Sequence, residues 1–512
     1  MDGGPQRTIL LTIRYAAAGI GRQALNVLLI PLYTIYLGPK DFGVLALLTI
    51  SGTLVLRTVE TPVGNALQRF YFRPDYRDRR DVLLFNLALF VGVNVLAVLV
   101  LYRLAAGGIA ILLFRDPALA AAVWLHGFVV AFSITTSLTG VFVMLLERAR
   151  IYTVASLLNV IVTGVVSVSL LAYARLGVAA VVLGQAAGLL FQTLLCLPSV
   201  AQHAERLIDW RVLREPLRFG YATLVSGYSN ILIIAGDRYM LGFLRTVTEV
   251  GLYSFACNIG NLVTLAIGTP VISGVWPTIR RMEERPDEQR AFVRRVTTFV
   301  CAAGVALAVV LSIFAAELIR LLATPEFAAA AAVVPLLAFS QALQGLAAFT
   351  EAGITLGNKP AYCSGTALAG AAANIGLGLL LIPWFGILGA GWATLASFLL
   401  WNGLNLHYST KFYRLQFDVP SLVHSLVLGA ILVAAAQLLP GGLSPFLLWP
   451  LKAVLAAAYP LLLIVTGFLR PDEWETLKEV TGGQWPVASQ GARSVPAHSL
   501  ASHHSPLATL ED

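Results

Sequence analysis

Charge is what this chain has least of. Asp, Glu, Lys and Arg make up 12% of its 512 residues, hydrophobic residues make up 58%, and mean hydropathy is +0.79. A soluble protein of this length needs a charged surface that the composition does not provide, so the chain is a polytopic membrane protein. Cysteine is scarce too. Cys196, Cys257, Cys301 and Cys363 fall in or beside apolar segments without metal-ligand spacing, so they read as small buried hydrophobes. A cleavable signal is not evident either: Arg14 and Arg22 interrupt the first apolar stretch, which runs on to Leu37. Large loops are also missing. The internal ones reach about 18 residues and carry no paired carboxylates, metal-ligand cluster or nucleotide motif, and His126 and His424 stand alone. A membrane polymerase, ligase or glycosyltransferase needs catalytic groups outside the hydrocarbon, which sets the enzyme class behind transport.

What is present is a succession of apolar segments about 20 residues long, the length that crosses a bilayer. Fourteen are expected, over roughly 9–37, 42–66, 82–104, 118–146, 152–174, 177–200, 219–243, 250–279, 296–322, 328–357, 361–383, 387–409, 421–440 and 446–469. The remainder, 470–512, is rich in Ser, Pro, His and Gly and is expected to be disordered. Its His498, His503 and His504 read as solvated side chains.

Lys and Arg sort by side of the membrane. With the amino terminus inside, 24 of the 35 fall in inside segments and seven (Lys40, Arg103, Arg115, Arg175, Arg245, Arg320, Lys452) outside. The expected topology therefore has both termini cytoplasmic, and the net charge of +8 is a topology signal rather than a nucleic-acid footprint. The remaining four, Arg14, Arg22, Arg57 and Arg238, lie inside spans.

The chain also repeats. Asp41-Phe42-Gly43-Val44-Leu45 matches Glu249-Val250-Gly251-Leu252-Tyr253 in character 208 residues on, as Pro117 does Pro325, and Leu176-Gly177 meets Phe385-Gly386 at 209. The shift moves each span onto the span six later. Six is even, so the halves share one orientation and are related by an axis along the membrane normal. The expected fold is all-α: a six-helix lobe at 1–200, a cytoplasmic linker at 201–218, a second six-helix lobe at 219–415, two further helices at 416–469, and the tail. The linker segment 205–218, with Leu207, Trp210 and Leu213 among basic residues, is expected to be an interfacial helix.

Polar stripes mark the spans. On the first, Tyr15, Arg22, Asn26 and Tyr33 share a face, with Arg14 beside them; on the second, Thr53, Arg57 and Glu60 do, and Arg57–Glu60 is an i,i+3 pair. Span 7 aligns Thr223, Asn230 and Asp237, and span 8 aligns Ser254, Asn258 and Asn261. Span 10 aligns Gln341, Gln344, Glu351 and Thr355, and span 12 offers Trp401, Asn402 and Asn405. Charges inside a span usually face a bundle interior or a wet cavity. Two readings stand. Arg57 pairs with Glu60 and Arg238 with Asp237 or Glu249 as structural ion pairs, or the excess guanidiniums await an anion. Arg14, Arg22 and Arg57 set three positive charges against one nearby carboxylate, and arginine's planar fork suits phosphate. The candidate substrate-binding set is Arg14, Arg22, Asn26, Arg57 and Glu60. Asp237, Arg238, Glu249 and Glu351 are candidates for gating or ion coupling.

The segment Asp237-Arg238…Leu241-Gly242…Glu249-Val250-Gly251-Leu252-Tyr253-Ser254 resembles the fingerprint of the polysaccharide-transporter branch of the multidrug/oligosaccharidyl-lipid/polysaccharide flippase superfamily. Leu37-Gly38-Pro39-Lys40-Asp41-Phe42-Gly43 and Thr324-Pro325-Glu326-Phe327 are similar to two further signatures of that branch, and the resemblance covers roughly 8–420. It implies a flippase of the bacterial plasma (inner) membrane that moves undecaprenyl-pyrophosphate-linked oligosaccharide units for O-antigen, capsule or exopolysaccharide assembly. It implies no bound cofactor, an H+ or Na+ gradient as energy source, and a polysaccharide polymerase and chain-length machinery as partners, with no nucleic acid. The two extra spans are similar to those of the related lipid II flippase, whose Arg-rich first-span signature is missing here. A peptidoglycan precursor is therefore the second cargo, and multidrug cation antiport the third reading.

Overall fold

The computed structural model of the protein describes residues 28–222, 224–440 and 444–466, with Leu25 and Phe468. Arg14, Arg22 and Asn26, and the segment 470–512, lie outside the described residues. The chain divides into the compact units Met1–Pro460 and Leu461–Asp512; in the second, the described residues are 461–466 and Phe468.

Helix starts follow local chemistry. After α1 (28–36), α2 (Pro39–Phe70) begins on a proline, whose missing N–H would be unpaired there anyway. Then come α3 (Arg80–Ile109), α4 (Ala120–Leu145), α5 (Ala149–Ser169), α6 (Val178–Ala201) and the short α7 (Arg214–Ala222). The second half holds α8 (Leu224–Leu244) and α9 (Val247–Val263), the latter opened by Thr246, whose hydroxyl accepts the Glu249 N–H at 3.2 Å. It continues through α10 (Thr269–Arg281), α11 (Pro286–Ile313), α12 (Ala315–Leu322), α13 (Val334–Thr350), α14 (Ala352–Leu356) and α15 (Pro360–Tyr413). α16 (Val419–Gln437) and α17 (Pro445–Val465) follow.

Among the described residues ten helices are long and apolar enough to cross a membrane, or eleven if the bent pair Pro325–Ala332 and Val334–Leu356 forms one span. α15 counts once among the ten, yet it is two antiparallel arms. Gly386 breaks it with φ 55° and ψ −127°. Across the break Thr366 bonds Asn405 at 2.7 Å, Asn374 bonds Thr394 at 3.3 Å, and the Tyr362 ring meets Phe412 at 4.7 Å. The midpoints of these pairs fall at residues 384–387, around Gly386, which makes a helical hairpin. Gly177, at the start of α6, adopts the same unusual backbone, φ 53° and ψ −130°.

The two halves meet most closely where α2 crosses α9. A Cβ on Gly43 would lie 1.9 Å from the Val247 carbonyl oxygen, and one on Gly251 would lie 1.7 Å from that of Pro39. Gly43 and Gly251, like Pro39 and Val247, are 208 residues apart. The crossing is therefore reciprocal, with the two-fold character the repeat predicts. Only glycine lets two backbones approach this far. From there α8 runs antiparallel to α2, joined by Tyr239–Ser51 at 2.8 Å and Tyr228–Thr58 at 2.5 Å.

Three expectations change. The predicted helix over 250–279 carries a π-turn at Thr264–Gly268, just before Pro270, whose ring cannot follow a regular α-turn. The predicted span 328–357 is a 3-10 segment, Pro325–Ala332, meeting Val334–Leu356 at 58°. Pro335 at the start of α13 forces a new helix there. The linker is not one helix over 205–218: the helical run begins as a 3-10 turn at Trp210–Leu213 before α7. Buried Asn86 on α3 donates to the Leu207 carbonyl (2.7 Å) and accepts the Asp209 N–H (3.0 Å), pulling 207–209 out of helical register. Leu207, Ile208 and Trp210 still project outward.

Candidate functional site

Directly beside the α2–α9 crossing lies a cavity of about 240 Å³. α1 contributes Ile30 and Tyr33, α2 contributes Phe42, Leu45, Ala46 and Thr49, and α6 contributes Val181 and Gln185. The other half supplies Arg238 from α8 and Ser254 and Asn258 from α9. The α2 positions recur at i, i+3, i+4 and i+7, and Thr53, Arg57 and Glu60 continue that stripe away from the crossing. Arg57 sits eight residues beyond Thr49, about 12 Å along the helix.

Arg57 and Glu60 are brought together as their spacing predicts, Nη1 to Oε2 at 3.4 Å. Glu60 is also held from α4, where the Ser137 hydroxyl donates to Oε1 at 3.2 Å. The Arg57 side chain remains 48% exposed.

Asp237 and Arg238 form no close side-chain ion pair, although each lies within reach of the other's charge. Neighbours on a helix point about 100° apart. The Asp237 carboxylate turns into its own half, buried, and accepts from Tyr253 at 2.5 Å, from Thr394 at 3.1 Å and from the Arg238 backbone N–H at 2.7 Å. The Asn374 amide oxygen nearby is buried without a partner. Arg238, hydrogen-bonded to Cys257, lines the cavity. Its Nε is buried and unpartnered, as is the Ser254 hydroxyl. Glu249, the other proposed partner of Arg238, instead bonds Arg245 at 3.5 Å, and the pair packs on the Gly386 turn. Burying an unpaired donor costs about 1–3 kcal/mol, which marks this part of the cavity as built for something polar. Glu351 sits at the break between α13 and α14 and is not among the cavity's lining residues.

Some of the other polar stripes turn inward. Gln341 accepts from Thr264 at 2.9 Å, Asn402 from Thr350 at 2.9 Å and Asn405 from Thr366 at 2.7 Å. These groups fasten helices within the second half. Sequence reasoning placed Ser254 and Asn258 on one face of span 8 but missed Gln185, a lone amide without a periodic companion. It also missed the tyrosine rungs, although 228 and 239 are three turns apart on one face.

Two halves related by a repeat, meeting at a glycine crossing over a polar cavity, characterise a multi-pass membrane protein whose fold is shared with a lipid II flippase and a multidrug MATE transporter. Among solved structures, a lipid II flippase MurJ in an inward closed conformation matches with TM-score 0.73 and 12% identity, over 88% of this chain and 97% of that one. An inward-facing multidrug resistance MATE family transporter matches with TM-score 0.61 and 12% identity, over 81% and 95%. Residues 36–332 match the family described as polysaccharide biosynthesis protein, and the chain belongs to that family. The probable low-salt glycan biosynthesis flippase Agl15 of Haloferax volcanii is 24% identical over 221 residues, 40% of this chain. The match spans 46% of that relative, about half its length.

Proposed function

We propose that the protein is a flippase that carries undecaprenyl-pyrophosphate-linked oligosaccharide units across the bacterial plasma membrane for polysaccharide assembly. The carrying observation is the cavity between the halves beside the Gly43–Gly251 crossing, with polar side chains from several helices and a guanidinium at Arg238. Rocking of the halves would expose this cavity to the two sides in turn. Both termini are taken as cytoplasmic from the Lys/Arg distribution. The family description and the glycan-biosynthesis relative favour a glycan cargo over a peptidoglycan precursor, which stays the second reading because the lipid II flippase shares the fold. A drug cation suits an arginine-lined cavity poorly. Asp237, buried among oxygen donors, is the candidate for coupling to an H+ or Na+ gradient; transport by Asp237→Asn should lose its response to an imposed gradient.

The test is reconstitution. Proteoliposomes holding the purified chain should render a lipid-linked oligosaccharide accessible to a membrane-impermeant glycosidase. Protein that moves an organic cation and leaves the lipid-linked glycan in place would refute the reading.

A further inference from the structure

We propose that the outer ends of α3 and α4 hold an anionic glycerophospholipid of the surrounding membrane. Arg103 takes its phosphate, and the exposed face of α3 carries its acyl chains.

A second cavity, of about 530 Å³, lies within the first half, apart from the one between the halves. α3 lines it with Arg103, Leu104 and Gly107, and α4 with Ala120, Ala121 and Trp124. No Asp or Glu is among the lining residues, and Arg103 forms no ion pair or hydrogen bond among the described residues. Arginine does not give up its proton, so the charge is fixed. The Lys/Arg distribution assigns this end of the two helices to the outside, and an indole such as Trp124 favours the headgroup level of a bilayer. From the cavity an apolar stripe runs back along α3 through Leu104, Val100, Ala97 and Val93, all exposed. The ten residues from Arg103 to Val93 span about 15 Å. That is half of a hydrocarbon core about 30 Å thick, the depth of one leaflet.

The repeat supplies an internal control. Counting on 208 residues, Val93, Ala97 and Leu101 correspond to Cys301, Val305 and Val309. Those three are buried, because α16 lies over them. A Cβ on Gly429 of that helix would come within 2.6 Å of the Val305 side chain and 3.1 Å of Val309. α16 falls outside the repeat, and Val93 and Leu101 on the first half each stay 54% exposed. A lipid there would cover α3 as α16 covers α11. The polar end of the site also belongs to the first half alone, since Arg103 corresponds to Leu311 and Trp124 to Ala332. The fold therefore requires neither the guanidinium nor the indole. A second copy docked two-fold through the same face would set Arg103 against Arg103 with no carboxylate in either cavity. A phosphate supplies the missing negative charge.

The experiment uses the full chain in detergent micelles, offered phosphatidylglycerol and, separately, phosphatidylcholine with the same acyl chains. Bound lipid is counted by native mass spectrometry. The parent should hold one phosphatidylglycerol about fivefold more tightly than phosphatidylcholine, the effect of one basic side chain near an anionic headgroup. Arg103→Gln should erase that preference. Arg175→Gln, which removes another exposed arginine assigned to the outside, should leave it intact. A Cβ at Gly107 would meet nothing within 4 Å, so the fold has room for Gly107→Leu, whose side chain should fill the cavity and expel the lipid. Equal retention of the two lipids by the parent overturns the proposal, as does a preference that survives Arg103→Gln. If Arg103→Gln is not monodisperse, Gly107→Leu decides in its place: loss of the tightly held phosphatidylglycerol supports the site, and unchanged retention overturns it. A parent dimer without lipid preference that Gly107→Leu separates would assign the face to a second copy and overturn the lipid.

Discussion

Arg57 on α2 and Arg238 on α8 are both guanidiniums, yet their surroundings differ. Arg57 leans on a carboxylate that Ser137 also holds, so removing it alone strands Glu60. If Arg57 also meets substrate, Arg57→Lys should lower transport and Arg57→Ala lower it further, by about one to two decades for a contact worth about 1.5–3 kcal/mol. If it only neutralises Glu60, Arg57→Leu with Glu60→Leu should restore both abundance and transport in a complementation assay read beside membrane abundance. The Arg57–Glu60 pair was legible because three residues along a helix bring two side chains together. Arg238 was harder. Its proximity in sequence to Asp237 suggested a pair; the two lie within reach of each other's charge, but the hydroxyls that claim the Asp237 carboxylate come from 16 and 157 residues away. No local pattern reports contacts of that range.

At the scale of helices, the α2–α9 crossing and the α2–α7 junction make contrasting predictions. A methyl group on Gly43 or Gly251 has nowhere to go but into a carbonyl. Gly43→Ala and Gly251→Ala should each cost about 1–3 kcal/mol of the closed arrangement, seen as slower disulfide formation between cysteines placed at Lys40 and Thr248. At the other end of α2, Arg73 bonds Glu215 at the start of α7 at 2.7 Å, and that contact holds the Glu215 carboxyl below its usual range. A carboxyl lowered by folding stabilises above its unfolded pKa, and the contribution fades as pH falls through the lowered value. Amide exchange in α7 should therefore quicken below about pH 4.5, and Glu215→Gln should show the faster exchange at neutral pH as well. The turn glycines 177 and 386 were readable because Leu-Gly and Phe-Gly recur in register. The linker was misread because its shape comes from Asn86, more than a hundred residues away, and amphipathic spacing alone cannot reveal such a capture.

For the molecule as a whole, the charge count and the repeat make a joint forecast. Cysteines at Arg77 and Arg285 should be labelled from one side of the membrane and a cysteine at Val247 from the other. Labelling of Val247 and Arg285 from the same side would remove the parallel orientation of the halves. Locking α2 to α9 beside Gly43 and Gly251 should leave a folded protein that no longer transports, and a locked protein that still transports would place the path elsewhere. This level was the most legible, because hydropathy and turn motifs recur over hundreds of residues and each weak match supports the others.

A crossing fixed at one end makes α2 a lever. The Tyr239–Ser51 rung lies eight residues from Gly43, about 12 Å out, and the Tyr228–Thr58 rung fifteen residues, about 22 Å. A tilt of about 3° then moves the nearer rung about 0.6 Å and the farther one about 1.2 Å. From starting lengths of 2.8 and 2.5 Å, the nearer pair would reach about 3.4 Å and the farther about 3.7 Å, so the farther bond is lost more completely. The seam therefore parts in sequence, like a zip drawn from its free end. Under the proposed function, a far half that parts before the near half yields would let a lipid tail stay in the bilayer while its headgroup enters.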